Sequence, residues 1–182
     1  MPSCRAQAAP SPSGGVQPPA GLAQHPAGPD HRPATFVRPR PGWARAAADF
    51  DARVFGPDAW PYAVWVDELA AGAVSTYRAL IEDGGVSATP SIIALGGIRG
   101  GIEAEVLTIG VAPSHRGQGL GGLLLDELLS LAAADGAEEV FLEVRSRGEV
   151  ARRLYESRGF VTVGLRRGYY RDDDALIMRL AL

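Results

Sequence analysis

The chain has 182 residues, 46% of them hydrophobic and 21% charged, proportions that suit one packed domain and exclude wholesale disorder. Its 18 basic residues are all Arg, because neither Lys nor Asn occurs, which excludes a Schiff-base lysine, a phosphate-loop lysine and every Asn-dependent site. A formal net charge of −3 lacks the basic excess of a nucleic-acid binder, and the one cysteine, Cys4, excludes a disulfide framework, a cysteine metal site and paired redox chemistry.

Residues 1–34 hold eight Pro, no aromatic residue and only Arg5, Asp30 and Arg32 as charges, so they are expected to form a disordered tail ahead of a domain at 35–182. TFVRPR, 35–40, reads as a short edge strand because Pro39 and Pro41 remove ladder donors. A helix is predicted over 43–54, with Phe50 and Val54 at i, i+4 and Gly56-Pro57 as its stop, and a second over 59–70 with Asp58 as N-cap. Strands follow at 74–81, 91–98 and 103–111, the first two separated by the turn DGG at 83–85.

The strongest helix pattern spans 117–134, with Leu120, Leu124, Leu128 and Leu131 on one stripe and Gly136 closing it. After it come a strand at 139–144, a helix at 150–158 ended by Gly159, a strand at 160–165, a link at 166–174 and a last strand at 175–182. The order β-α-α-β-β-β-α-β-α-β-β predicts an α/β layer, helices packed on one sheet. No apolar run approaches the roughly 18 residues of a spanning helix, and the N-terminus lacks the apolar segment of a secretory signal. A soluble, cytoplasmic monomer with neither membrane nor nucleic-acid partner is the expectation.

Chemistry concentrates in V-A-P-S-H-R-G-Q-G-L-G-G, 111–122, where a strand runs into a glycine-rich turn that opens into a helix. Glycines let backbone approach a phosphate, and free N–H groups at the positive end of a helix dipole favour an anion. A plain tight turn explains the glycines as well. Glu143 shares one strand face with Phe141 and Arg145, which also reads as an ordinary carboxylate, either paired with Arg145 or left in solvent. Tyr155 has the spacing of a core aromatic beside Leu154 and Phe160, and His25, His31 and His115 lack metal-ligand spacing.

Arg116-Gly-Gln-Gly119-Leu-Gly121 resembles the Arg/Gln-x-x-Gly-x-Gly/Ala signature of GCN5-related N-acetyltransferases. LEVRSRGEVARRLYESRGF, 142–160, and RRGYYRDDDALIM, 166–178, resemble the RimI-type ribosomal-protein alanine N-acetyltransferases within that superfamily. The resemblance implies the acyl-CoA N-acyltransferase fold, a mixed and mostly antiparallel sheet flanked by helices. It also implies acetyl-CoA as co-substrate, no metal, and transfer of acetyl to the N-terminal α-amine of an alanine-starting protein, with the eighteenth small-subunit ribosomal protein as expected substrate.

Carried over by position, the resemblance gives backbone contacts to acetyl and pantetheine from Ile109, Gly110 and Val111. It makes Gly117, Gln118, Gly119, Leu120, Gly121 and Gly122, with Arg116 at their edge, the pyrophosphate loop, Glu143 the general base and Tyr155 the general acid. RimI-type proteins usually have Asn where this chain has Gly148, so one cofactor contact is missing in kind. Trp60, Tyr169 and Tyr170 are candidates to wall a peptide groove. Acetylation of a small amine such as a polyamine or antibiotic, and a non-catalytic acyl-CoA-binding module, are the alternatives.

Overall fold

The computed structural model describes residues 35–70, 74–82 and 90–182. The expected tail at 1–34 and the turn at 83–85 lie outside the described residues. Alanine-rich sequence forms helix α1 (Ala44–Phe55), preceded by a 3-10 turn at Pro41–Trp43 and ended by Gly56 at φ +56. Helix α2 (Tyr62–Ala70) starts three residues later than its pattern predicts, after Pro61, whose missing N–H suits a helix start. Asp58 does not cap it. That residue sits in a 3-10 turn, Gly56–Asp58, and its carboxylate accepts instead from the Arg145 guanidinium in a charge-assisted bond.

Strands β1 (Ser75–Ile81), β2 (Ile92–Arg99) and β3 (Glu103–Val111) form an antiparallel meander. Helix α3 (Leu120–Ala134), β4 (Glu139–Arg145), α4 (Glu149–Glu156), β5 (Val161–Arg166) and β6 (Ala175–Ala181) complete the fold. The six strands are ordered β1-β2-β3-β4-β6-β5, and of these pairings only β3 with β4 is parallel. Residues 35–40 do not form the expected edge strand. They contribute a bridge in which Val37 and Ala79 exchange N–H···O bonds of 2.8 Å, and the prolines beyond it lack the donors that would extend it.

Helices cover both faces. Phe50, Trp65, Leu69, Leu95 and Leu107 gather under α1 and α2, while Leu124, Leu125, Leu128, Val140, Leu142, Val144 and Met178 gather under α3 and α4. Two strand glycines permit this closeness: a Cβ at Gly96 would stand 3.0 Å from Leu124 and Leu128, and one at Gly110 3.1 Å from Phe50. No helix among the described residues is long and apolar enough to cross a membrane.

Asp51, only 3% exposed on α1, accepts the Trp60 amide at 2.6 Å and so ties down the segment between α1 and α2. Burial pushes its carboxyl up from 3.8 to about 6. Because the folded value is raised, the stability it contributes is complete below about pH 4 and is lost as pH rises through about 6. Asp51→Asn removes that dependence. Between about pH 4 and 7, denaturant unfolding should show the parent losing up to about 3 kcal/mol relative to the variant, at 1.36 kcal/mol per pH unit.

Candidate active site

β3 and β4 pair over only four residues, from Glu103↔Glu139 to Val106↔Leu142. Next to that point Leu107 is bulged, since Gly97 pairs with Thr108 and Ile98 with Val106. Beyond the bulge the strands part, leaving a gap between Leu107–Val111 and the end of β4. Ala112 donates to the Ile93 carbonyl at 2.7 Å, so two-residue alternation gives Gly110 and Thr108 the bonds to β2 and turns the backbone N–H groups of Ile109 and Val111 toward the gap. Arg116 Nε donates to the Val111 carbonyl at 3.3 Å, folding the next loop over the strand end. Gly110 also admits α1, since a Cβ there would stand 3.1 Å from Phe50 and 3.2 Å from Val54.

The loop 116–119 is exposed. Gly117 and Gly119 take φ of +78 and +77, a left-handed conformation that residues with a Cβ rarely adopt. Helix α3 starts at Leu120 rather than Gly117, with Gly119 as its N-cap. The amides of Leu120 and Gly121 therefore lack acceptors within the helix and, with its dipole, suit a pyrophosphate. Gly121 lies where a Cβ would touch Leu154 at 3.5 Å and Val111 at 3.7 Å, so loop, β3 end and α4 converge there. At Gly122 a Cβ would stand 2.4 Å from the Arg158 guanidinium, which pairs with Asp126.

Glu143 lies on the β4 face opposite the α3 and α4 core, just past the last β3–β4 pair. Its side chain is 6% exposed, with Oε1 accepting from Arg166 Nη1 at 2.7 Å and Oε2 buried without a hydrogen-bond partner. Arg145, the partner expected from the strand pattern, is engaged elsewhere. It donates to Asp58 between α1 and α2 and, at 2.7 Å, to Asp172 between β5 and β6, and lies 4.4 Å from the Tyr170 ring centroid. Asp58 foremost, and then Asp172, hold its guanidinium above its ordinary pKa. One cation thus straps together the two loops beside Glu143.

Asp173 fixes the β5–β6 loop from below, accepting from the Ser146 hydroxyl at 2.7 Å and the Arg147 amide at 3.1 Å. These donors, Ser146 foremost, hold its carboxyl well below the usual range. Of the three aromatics expected along a groove, Trp60 packs inward at 5.2 Å from Trp65, while Tyr169 and Tyr170 meet edge to face and lie over Arg166 and Arg145. Arg166 and Asp58 were not legible as site residues from spacing alone, although Arg166 opens the RRGYY string.

Tyr155, 8% exposed, sits on the other face of β4, its ring 5.8 Å from Phe160. It is packed as a core aromatic, on the helix whose Leu154 reaches Gly121. Gly148, where the resemblance expects Asn, has an ordinary φ of −79, but a Cβ would lie 3.1 Å from the Arg145 carbonyl. Among the described residues no group of three His, Cys, Asp or Glu side chains is gathered to hold a metal.

The profile of the Acetyltransferase (GNAT) family matches residues 39–160. The N-alpha-acetyltransferase RimI of Mycobacterium tuberculosis is 40% identical over 139 residues, 75% of this chain and 85% of that protein. The [ribosomal protein bS18]-alanine N-acetyltransferase of Escherichia coli is 39% identical over 84 residues, 44% of this chain and 57% of the relative. The crystal structure of the ribosomal-protein-S18-alanine N-acetyltransferase from Escherichia coli superposes with a TM-score of 0.71 at 28% identity, covering 81% of this chain and 92% of the other. With the mixed six-stranded sheet, the parted strands and the glycine loop in place, the chain belongs to the GNAT family and is an acetyltransferase that uses acetyl-CoA.

Proposed function

We propose that the protein transfers acetyl from acetyl-CoA to the α-amine of a protein N-terminus, with an alanine-starting ribosomal protein of the bS18 type as its substrate. The observation that carries the amine chemistry is the buried, unpartnered Oε2 of Glu143 beside the gap between β3 and β4, and the choice of substrate is supported by the RimI relatives. An α-amine has a pKa of about 7.7–8.0 and must shed a proton on its way to an amide. Glu143 takes that proton, directly or through a water.

Acetyl-CoA supplies the acetyl group as a thioester. Gly117, Gln118, Gly119, Leu120, Gly121 and Gly122, with Arg116, hold its pyrophosphate, and the backbone of Ile109, Gly110 and Val111 lines its path. The Val111 N–H polarises the carbonyl as a single-donor oxyanion site. Tyr155 protonates the departing thiolate. Transfer is direct, because the chain's one thiol, Cys4, lies outside the domain proposed at 35–182. The protein works as a monomer in the cytoplasm.

Release of CoA thiol, measured with an Ala-starting peptide, a peptide with an internal lysine, and a polyamine side by side, tests the reading. The Ala-starting peptide is expected to give the highest kcat/KM, by at least about tenfold, the worth of one good hydrogen bond to a charged group. A polyamine turned over faster than the peptide overturns it in favour of small-amine acetylation.

A further inference from the structure

Glu143 has two oxygens in different circumstances. Oε1 is held by Arg166 at 2.7 Å, and Oε2 is buried with no hydrogen-bond partner. The guanidinium of Arg166 is itself steadied by the Tyr169 ring, 5.1 Å away. The other charged groups near this face are committed elsewhere. On β4, Arg145 bonds Asp58 and Asp172, and Glu139 takes Arg179 of β6 at 2.8 Å, while on β3 Glu105 takes Arg99 of β2 at 2.8 Å.

We infer that Arg166 is a positioning residue of the acceptor site: by pinning Oε1 of Glu143 and leaving Oε2 as the open acceptor, it makes the site take the neutral amine in preference to the ammonium. This rests on the reading of Glu143 as the base. An ammonium at Oε2 stands close to the guanidinium bound at Oε1, and like charges sharing one carboxylate oppose its binding. A neutral amine offers an N–H to Oε2 without that repulsion. As its lone pair forms the new N–C bond, the nitrogen becomes cationic and passes one proton to Oε2. The C–S bond breaks toward sulfur, and the thiolate takes its proton from Tyr155.

The test is the pH dependence of the acceptor KM. With an Ala-starting peptide, the parent's KM is expected to fall about tenfold per pH unit between about pH 6 and 7, where the neutral fraction of an α-amine rises at that rate. In Arg166→Gln the ammonium pairs freely with Glu143, so KM changes less than about threefold over that range. Arg166→Lys keeps the parental slope. A flat parental KM, or a parental slope in folded Arg166→Gln, overturns the inference. Should Arg166→Gln fail to fold, the parent's slope decides, together with competition by the same peptide trimethylated at its α-nitrogen: weak inhibition supports selection of the neutral form, and inhibition tighter than the substrate's KM overturns it. Parental turnover in Glu143→Gln defeats the base reading itself. Loss of turnover there, with an unchanged slope in Arg166→Gln, defeats only the role of Arg166.

Discussion

Glu143→Gln should lower turnover of an Ala-starting peptide by roughly 10²–10⁴-fold, the usual worth of one acid–base group. The variant keeps the side chain's shape, and its amide oxygen still accepts from Arg166. An amide NH₂ then occupies the position of the open Oε2, so no acceptor is left for the amine's proton. Raising pH should restore part of the loss, because hydroxide then takes the proton that the attacking nitrogen sheds. Tyr155→Phe keeps the edge-to-face packing on Phe160 and removes only the hydroxyl, so turnover should fall while acetyl-CoA binding holds. Deprotonating the amine at high pH should not rescue it, because the missing hydroxyl acts on the leaving sulfur and not on the amine. In pH–rate profiles of both variants, a Glu143→Gln enzyme within about threefold of the parent throughout, smaller than any acid–base effect expected, removes Glu143 from the mechanism.

Gly119→Leu should raise the acetyl-CoA KM by roughly 10–100-fold, as expected when charge-assisted bonds worth about 1.5–3 kcal/mol are lost. Open space surrounds a Cβ at Gly119, so the variant does not clash with the protein. It acts in two other ways: the φ of +77 is strained for leucine, and the side chain stands in front of amides that must meet phosphate oxygens. Gly136→Leu, beyond the far end of α3, separates these effects, since Gly136 has a φ of +84 and equally open surroundings. Both variants should lose similar thermal stability, and only Gly119→Leu should weaken acetyl-CoA. Equal acetyl-CoA KM values in the two would make the loop an ordinary turn.

Much of the architecture was legible because its causes are local. The leucine stripe and flanking glycines of α3, the alanine-rich run with Phe50 in α1, and the alternation in β4 each specify an element through period and termination alone. The glycine loop was legible too, since positive φ at Gly117 and Gly119 is a property of residue type. Where a residue had two long-range options, local pattern gave no means of choosing. Asp58 suits a helix cap by type and position, yet Arg145, 87 residues away, claims it. Arg145 suits Glu143 by strand spacing, yet it bridges two loops, and Arg166 takes Glu143 after the chain has run through α4 and β5.

From the sequence came the helices and strands from 43 onward, the family resemblance and the position of the glycine turn before α3, because these follow from periodicity and backbone preference over short spans, whereas the strand expected at 35–40 shrank to a single bridge. Tertiary structure alone decided where β3 and β4 part, which oxygen of Glu143 stays open and on which face of β4 Tyr155 lies. The reason is physical: strand register, burial of a carboxylate and competition among several arginines for few acids depend on groups far apart in the chain, whose meeting only the packed fold sets.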